Sequence, residues 1–473
     1  MTPHELTTLT AADLHAGYAA GDFTPTEATS AALEAAAFGG AHLNAVASLH
    51  ADEALAFADA STARWRQGAP LSDLDGVPVS IKDSFPMVGH QRWHGSALAD
   101  GLPPSTHNGA PVRRLHEAGA VPFVKTSMPD FGLIGSGISS QFGIIRNPWD
   151  PACNPAGSSS GAAALLAIGA GPLAMGTDTG GSVRVPAAMC GVVGLKPTQG
   201  RVAYDPPKII GVAGPMARTV ADTATLLRAV GRPDPSDHLS LPGVFDGDGS
   251  PIDDLSGLTV GVFTAIPGPV PVDPEILAAV DRQAEILAAA GATVTRVDSP
   301  MATEDEWAAM TAVLMTRGLP ELLRMPPEAW DVIPPGLRAG MLAFRDLSAV
   351  EHVRNEKALE AARAVIAGRL QAFDYTLAPA TAVVSYAAEL EAPVVDGHAV
   401  NHMAFSSPFN LTHLPAGSVP VAMSASGMPI SVQVGGQRFD DAGVLAVMAL
   451  LERERGFAPA YPYALGATAG ARP

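Results

Sequence analysis

Residues 154–197 read NPAGSSSGAAALLAIGAGPLAMGTDTGGSVRVPAAMCGVVGLKP. Two glycine loops in this stretch carry serines: GSSSG at 157–161 and GTDTGGS at 176–182. The segment between the loops consists almost entirely of Ala, Leu, Ile, Gly, Pro and Met. A connector with so few polar side chains has to be buried, so both loops are predicted to sit on core elements instead of hanging in solvent. The stretch is therefore a candidate functional site.

The connector predicts a helix followed by a returning strand. A helix over 159–169 would advance about 16 Å. A strand over 172–177 would return about 20 Å alongside it. The two loops then lie at the same edge of the fold, and Ser158 and Ser182, 24 positions apart, are expected within hydrogen-bonding reach of each other.

The second loop has the composition of an oxyanion hole. Gly180 and Gly181 permit backbone conformations closed to other residues, so consecutive N–H groups of the loop can point at one spot. Such a set of donors stabilises a developing oxyanion. Ser182 at the end of the loop still needs a base, and no histidine-containing motif lies close by in the sequence.

Lys82 is the titratable residue that could serve as this base. The β-branched run 77–81 is predicted to be a buried strand with Lys82 at its carboxyl end, where open α/β sheets place their chemistry. A lysine acts as a base only when neutral, and apolar surroundings lower its pKa. Asp83 would oppose that shift if its side chain pointed inward.

The first 225 residues indicate a helical N-terminal region followed by a catalytic core. Residues 1–70 are predicted to be helical, and a capping box at Thr24–Glu27 begins a helix that is expected to end near Gly39–Gly40. Over 71–225 helical and strand patterns alternate, which is typical of an α/β fold.

The same alternation beyond residue 225 indicates one large sheet. Further strands are predicted over 258–263, 292–297, 374–379, 418–423 and 429–434, and helices over 273–290 and 440–455. Segment 301–370 is predicted to be helical and rich in large apolar side chains, which either pack on the core or form the wall or lid of a pocket. No linker clearly divides the chain, so a single domain over 1–473 is predicted.

Composition and charge exclude several kinds of partner. The chain has 473 residues, is 47% hydrophobic and has a formal charge of -18, with no basic cluster longer than Arg113–Arg114. It is therefore not expected to bind nucleic acid or anionic membranes. The N-terminus lacks a signal-peptide pattern, and no apolar stretch is long enough to span a bilayer. The two cysteines, Cys153 and Cys190, have no metal-ligand spacing, and a cytoplasmic protein is predicted.

Several motifs together resemble those of the amidase signature family. They are GVPVSIKD (76–83), RNPWDP (146–151), PAGSSSGAA (155–163), MGTDTGGSVRVPAAMCGVVGLKPTQGRV (175–202), GPMARTVAD (214–222), DYTLAPAT (374–381) and SPFNLTHLPAGSVPV (407–421). The resemblance covers nearly the full length. It implies a single large α/β domain with a central mixed β-sheet covered by helices on both faces.

The resemblance also implies a Ser-cisSer-Lys triad. Ser182 corresponds to the nucleophile, Ser158 to the proton-relaying serine after a cis peptide bond, and Lys82 to the base. The oxyanion would be held by the backbone N–H groups of Thr179, Gly180, Gly181 and Ser182. Supporting roles fall to Ser159, Asp178 and Arg184. The family's mechanism needs no metal or cofactor.

This sequence departs from the family's usual pattern in places. The usual GGSSGGS is here AGSSSGA at 156–162, and the usual Asn-x-x-Glu-Phe element is SMPDF at 127–131. Neither change touches a triad position. In addition, WHGS at 93–96 carries bulk where the family commonly has small residues, so His94 could contact the substrate.

Ser159 allows a competing interpretation. It occupies the centre of a G-x-S-x-G pattern, which in α/β-hydrolases marks the nucleophile, and His398, His402 or His413 could then be the base. That nucleophile follows a strand, whereas the residues before Ser159 are predicted to form a loop. Cys190 and the flanking pair Asp178 and Arg184 are interpreted as structural.

The expected function is the hydrolysis of a small to medium, largely uncharged carboxamide, such as an anilide or aryl carbamate. The alternative is a protein similar to the glutaminase subunit of tRNA-dependent amidotransferases, which would need partner chains. A catalytically inactive homologue is disfavoured because all three triad positions are present. A homodimer is compatible with the sequence, which does not determine the oligomeric state.

Overall fold

An eleven-stranded mixed β-sheet runs through the protein. The computed structural model describes residues 1–265, 271–301, 303–401 and 403–466. The strands are β1 (Val46–Leu49), β2 (Pro78–Lys82), β3 (Val121–Thr126), β4 (Ile138–Ser139), β5 (Gly143–Ile144), β6 (Leu173–Asp178), β7 (Val193–Lys196), β8 (Val212–Ala217), β9 (Thr259–Val262), β10 (Thr293–Arg296), β11 (Tyr375–Pro379), β12 (Val394–Val395), β13 (His398–Ala399), β14 (Ala416–Met423) and β15 (Pro429–Gly436). The order in the large sheet is β1-β3-β2-β6-β8-β7-β14-β15-β11-β9-β10, and β4-β5 and β12-β13 form two small hairpins.

Helices account for most of the remaining regular structure. They are α1 (Pro3–Thr8), α2 (Ala11–Ala20), α3 (Pro25–Leu43), α4 (Ala51–Arg66), α5 (Ala110–Glu117), α6 (Ser160–Ala167), α7 (Arg184–Cys190), α8 (Val220–Val230), α9 (Pro274–Ala289), α10 (Glu304–Leu323), α11 (Pro335–Leu342), α12 (Ala349–Leu370), α13 (Ser407–Leu411) and α14 (Asp441–Glu454). None of these helices is long and apolar enough to cross a membrane within the described residues.

Both faces of the sheet are covered, as strand β6 illustrates. Ala174 packs in a cluster with residues of α6 and α7. Its neighbours Leu173 and Met175 belong instead to the large core cluster, which contains residues of α8 and α14. Successive side chains of a strand point to opposite faces, so helices lie on each side. The predicted fold class is confirmed.

The region around the two serine loops folds as the sequence predicts. The expected helix over 159–169 is α6, and the expected returning strand is β6. All eight residues of α6 are buried, which explains the lack of polar side chains in the connector. Strand β2 pairs in parallel with β6, with Ile81 opposite Met175, so Lys82 ends its strand beside the second loop.

The predicted end of the first long helix is wrong. Helix α3 continues through Gly39–Gly40 to Leu43 and is followed by Asn44 in the left-handed conformation, with φ 53°. A Cβ atom at Gly39 would lie 2.5 Å from Leu165 Cδ2 and 2.9 Å from Ile168 Cδ1. Gly39 therefore marks the close packing of α3 against α6 and not a helix end.

A second correction concerns the N-terminal region, which is not wholly helical. Residues Val46–Leu49 form the edge strand β1, which pairs antiparallel with β3. Four residues carry too little pattern to distinguish a strand from a helix-helix connection. The hydrogen bonds to β3, more than 70 residues away in sequence, decide the conformation.

The segment 301–370 is helical as predicted. It consists of α10, α11 and α12 with a short 3-10 helix over Pro327–Val332, and α10 packs on α12. The 3-10 helix and α11 begin directly after Pro326 and Pro334, so these prolines set the breaks between helices.

Candidate active site

Lys82 lies at the centre of a buried polar cluster. Its Nζ is 2.8 Å from Ser158 Oγ, 3.0 Å from Ser159 Oγ and 2.9 Å from Thr177 Oγ1. Lys82 and Ser159 are fully buried, and Ser158 is almost so. The Gly157–Ser158 peptide bond is cis, as the resemblance implies. The fold thus brings the end of β2, the first serine loop and the end of β6 together.

The environment of Lys82 favours the neutral amine. Burial lowers the pKa of Lys82 well below its ordinary value, and the charge of Lys208 adds to the effect, against the opposing charges of Asp178 and Asp83. The carboxylate of Asp83 is itself paired: Oδ1 lies 3.0 Å from Lys125 Nζ, and Oδ2 accepts the Gly95 N–H at 3.1 Å. Its influence on Lys82 is therefore reduced.

Ser182 lies just before α7 and lines a cavity, with 4% of its surface exposed. The two serine loops meet through their backbones, because the Ser159 N–H donates to the Ser182 carbonyl at 3.0 Å. The expected hydrogen bond between the Ser158 and Ser182 hydroxyls is not formed; among the described residues none hydrogen-bonds the Ser182 hydroxyl. Ser158 Oγ is engaged by Lys82 instead.

The second loop is held by the buried pair of Asp178 and Arg184. Arg184 donates to both carboxylate oxygens of Asp178 at 3.0 Å and also to Asn410 Oδ1 and Gln433 Oε1. Burial alone would raise the pKa of Asp178, but the guanidinium of Arg184 and the hydrogen bonds outweigh it and bring the pKa to about 2. The structural role expected for the pair fits these contacts.

One predicted oxyanion donor is already used. The Gly181 N–H donates to Asp178 Oδ1 at 2.8 Å, and Gly181 does not line the cavity that Ser182 lines. The structure shows no protein acceptor for the N–H groups of Thr179, Gly180 and Ser182 among the described residues. The Asp178 side chain, which closes the loop, takes up the Gly181 N–H, so three of the four predicted donors remain available.

Residues of the closing motif hold the loop from the other side. Ser406 Oγ and Ser407 Oγ donate to the Gly180 carbonyl at 2.6 and 3.0 Å. Gly181 has a φ of 136°, and a Cβ atom there would lie 2.0 Å from Ser406 Oγ, so only glycine fits. Sequence reasoning missed Thr177, Ser406, Ser407 and Asn410. For Ser407 and Asn410 the signal was the motif SPFNL at 407–411, whose function no local pattern reveals.

A cavity of about 560 Å³ opens over the second loop. Thr179, Gly180 and Ser182 form its floor, and helix α10 contributes one wall. Its apolar lining consists mainly of Phe131, Leu133, Ile134, Ile210, Trp307, Met310 and Leu314. His94, expected to contact the substrate, also lines it, and burial lowers the pKa of His94 well below its ordinary value.

The α/β-hydrolase interpretation of Ser159 is not supported by the geometry. Ser159 is fully buried, and its hydroxyl contacts Lys82 and Thr177. The residues before it form a loop and not a strand. His398 lies on the exposed hairpin strand β13, His413 does not line the cavity, and His402 lies outside the described residues.

Among the described residues, the cysteines and possible metal ligands form no further centre. Cys153 and Cys190 are free thiols, and burial raises the pKa of both. The part of the chain that the structure describes contains no group of three or more His, Cys, Asp or Glu residues placed to hold a metal ion.

Comparison with known proteins defines the class of this enzyme. The sequence model of the Amidase family matches residues 27–445. The fold and the comparisons together identify a hydrolase that acts on C–N bonds other than peptide bonds. The chain belongs to the amidase signature family, as the motifs predict.

The names of individual relatives describe different activities. The chain is 34% identical over 96% of its length to a glutamyl-tRNA(Gln) amidotransferase subunit of Myxococcus xanthus, and covers 98% of that protein. The structure of a bacterial aryl acylamidase of the amidase signature family superposes with a TM-score of 0.87 at 26% identity, covering 94% of this chain and 96% of that one. The peptide amidase of Stenotrophomonas maltophilia gives 0.81 at 26% identity, covering 95% and 98%.

Proposed function

We propose that this protein hydrolyses a carboxamide through an acyl-enzyme on Ser182, with Ser158 as proton relay and Lys82 as base. The observation that carries the proposal is the contact of the buried Lys82 Nζ with Ser158 Oγ at 2.8 Å, at the end of the loop that contacts Ser182. A neutral lysine in this position can accept a proton from Ser158.

The mechanism follows from that arrangement. Lys82 takes the hydroxyl proton of Ser158 as Ser158 takes that of Ser182, and Ser182 Oγ attacks the amide carbonyl carbon. The proton then returns through Ser158 to the amide nitrogen, the C–N bond breaks and the amine leaves. Water hydrolyses the resulting ester by the same relay and releases the carboxylic acid. The missing Ser158–Ser182 hydrogen bond is expected to form when substrate binds, since catalytic hydrogen bonds often tighten only in the complex.

Three backbone donors support the tetrahedral intermediate. The N–H groups of Thr179, Gly180 and Ser182 are available at the floor of the cavity, and the Asp178–Arg184 pair holds the loop rigid. Donors that need no rearrangement stabilise an oxyanion more strongly than mobile ones.

The cavity supports a substrate with an aryl or alkyl group. Its volume suits a small to medium ligand, and the aromatic and aliphatic side chains of one wall would bury an apolar group. An anilide or an aryl carbamate fits this lining.

The test compares two serine variants with the wild-type protein on a panel of aryl amides, primary amides, carbamates and ureas. Ser182→Ala should lower kcat for every accepted substrate by a factor of about 10⁴ or more, since the nucleophile is lost. Ser159→Ala is the matched control one residue from Ser158; it should only weaken turnover. Loss confined to Ser159→Ala would contradict the proposal and support the α/β-hydrolase mechanism.

A second candidate function is that of a glutaminase subunit in an amidotransferase. The similarity to the glutamyl-tRNA(Gln) amidotransferase subunits of two bacteria over nearly the full length of both chains favours it. One feature of the cavity counts against this function, because glutamine needs an acidic partner for its ammonium group. Among the described lining residues Glu321 is the one acid, and it lies 3.1 Å from Arg324.

The two functions predict different behaviour of the purified chain. A free-standing amidase turns over anilides or primary amides alone. A glutaminase subunit releases little ammonia from simple amides until its partner chains are added, and then prefers glutamine. Ammonia release measured with and without those chains decides between them.

A further inference from the structure

The charges in the cavity contrast with those of the whole chain. The protein has a formal charge of -18. The cavity is nevertheless lined by three cations, Arg92, Lys208 and Arg317, against the single described acid Glu321, which is paired with Arg324. A basic cavity in an acidic protein concentrates anionic ligands and repels cationic ones.

These three cations have no carboxylate within ion-pair distance among the described residues. Glu356 acts on Arg317 only from farther away. Lys208 has a contact with the ring of Tyr204, whose centroid lies 4.7 Å from its Nζ, but this leaves the positive charge uncompensated. Arg113, by contrast, is paired with Asp234 at 3.0 Å.

The loop that carries Lys208 also contains an acidic residue, Asp205, and the two differ in their position relative to the cavity. Asp205 does not line the cavity, and its carboxylate lies 3.7 Å from both Arg113 and His107. Lys208 lines the cavity, and the loop is fixed there because Gln199 Nε2 donates to the carbonyls of Lys208 and Gly211 at 2.9 and 3.1 Å. The backbone at Lys208 is therefore held beside the cavity that its side chain lines.

Lys208 is also close to the proposed oxyanion loop. A Cβ atom at Gly211 would lie 3.6 Å from Lys208 Cδ and 2.8 Å from Thr179 Oγ1. The aliphatic part of the Lys208 side chain and the Thr179 side chain thus lie on either side of Gly211. The Lys208 ammonium can therefore reach a group of the substrate near the reacting carbonyl.

We propose that the substrate of this site carries a carboxylate close to its scissile amide, which Lys208 binds and which Arg92 and Arg317 attract. This inference rests on the proposed function. From the sequence alone we expect a largely uncharged substrate, and the cations of the cavity argue for a different one: an amide acid with an apolar portion on the α10 wall.

The kinetic test uses two matched substrate pairs. The para-nitroanilides of glutaric and pentanoic acid differ only in a carboxylate on the acyl side. The compounds (para-acetamidophenyl)acetate and para-ethylacetanilide differ only in a carboxylate on the amine side. In at least one pair the carboxylate member should have a kcat/KM about tenfold higher, and the ratio should fall with added salt.

Variants of Lys208 assign the preference to this residue. Lys208→Met should lower the carboxylate-to-neutral ratio by about tenfold, mainly through KM, and Lys208→Arg should retain most of it. Lys357→Met, which removes an exposed lysine of α12 outside the cavity lining, is the control and should leave the ratio unchanged. Equal kcat/KM within both pairs, or a ratio unaffected by Lys208→Met, would overturn the inference.

A binding measurement separates this inference from the proposed function. Calorimetry on Ser182→Ala should show phenylacetate binding about tenfold more tightly than phenylacetamide, with the difference lost in Ser182→Ala/Lys208→Met. Such binding without turnover of any amide would refute the proposed function and keep the carboxylate site. Turnover that depends on Ser182, together with equal binding of phenylacetate and phenylacetamide, would support the proposed function and overturn the carboxylate site.

Discussion

At the scale of single residues, the distinctive feature is how a lysine next to an aspartate is kept neutral. Asp83 follows Lys82 directly and is fully buried, so its charge would be expected to favour the ammonium. Lys125 on the neighbouring strand β3 takes up that charge at 3.0 Å. Burial also lowers the pKa of Lys125, and the attraction of Asp83 opposes this effect and favours its charged form.

This arrangement predicts the pH dependence of Lys125→Met. Because Lys82 must be neutral to act as base, activity should rise as the pH rises through its pKa. Without Lys125 the charge of Asp83 acts on Lys82 in full and raises that pKa, so the acidic limb of the kcat/KM profile should move to higher pH. The measurement is kcat/KM against pH for an accepted amide.

A double variant controls for damage to the fold. Breaking a buried ion pair costs about 3–5 kcal/mol of stability, so Lys125→Met should also unfold at lower denaturant concentration. Asp83→Asn/Lys125→Met removes the unpaired charge and should bring the acidic limb back toward its original pH. An acidic limb at the same pH in all three proteins would contradict the role assigned to Lys125.

At the scale of elements, α3 packs against α6, the helix that begins directly after Ser158 and Ser159 of the first serine loop. Gly39 lets the two helices approach, and Leu165 and Ile168 fill the space that a side chain would take. Gly39→Ala should therefore lower the free energy of unfolding by about 1–3 kcal/mol, because the extra methyl overpacks the contact. Urea denaturation measures the change.

Gly368 in α12 is the matched control for Gly39. It also lies inside a helix, but a Cβ atom there would meet nothing within 4 Å. Gly368→Ala should raise stability by about 1 kcal/mol through helix propensity alone. The two substitutions should thus change the free energy of unfolding in opposite directions. A stabilising Gly39→Ala would show that α3 and α6 are less closely packed than the distances from the Gly39 Cβ position imply.

At the scale of the whole molecule, the helices of 301–370 and the sheet together form the cavity. Helix α10 supplies Trp307, Met310 and Leu314, and the loops after the strands supply the polar floor. Helix α10 therefore lines the cavity, and we propose that this wall selects the substrate.

Trp307→Ala tests that proposal. It should raise KM for aryl amides by about tenfold or more while changing KM for acetamide less, because an aromatic side chain contributes mainly to burying a large apolar group. Trp65→Ala changes a half-buried tryptophan outside the cavity lining, so it is the control and should leave the ratio of the two KM values unchanged. A uniform effect of Trp307→Ala on both substrates would argue against a wall that selects aryl groups.

Local patterns in the sequence determined much of this protein. The alternation of helices and strands, the buried connector and the position of Lys82 at a strand end all follow from residues within one element, whose burial and periodicity are visible in the sequence itself. The motifs then indicated the amidase signature family and the three triad positions.

Only the tertiary structure decided how those residues share their hydrogen bonds and charges. The use of the Gly181 N–H by Asp178, the pairing of Asp83 with Lys125 and the pairing of β1 with β3 join segments that no local pattern connects. The same holds for Arg92, Lys208 and Arg317, which come from three separate segments and meet only in the folded cavity. A donor or a charge can be assigned a function only once its partners are known, and those partners are set by long-range packing.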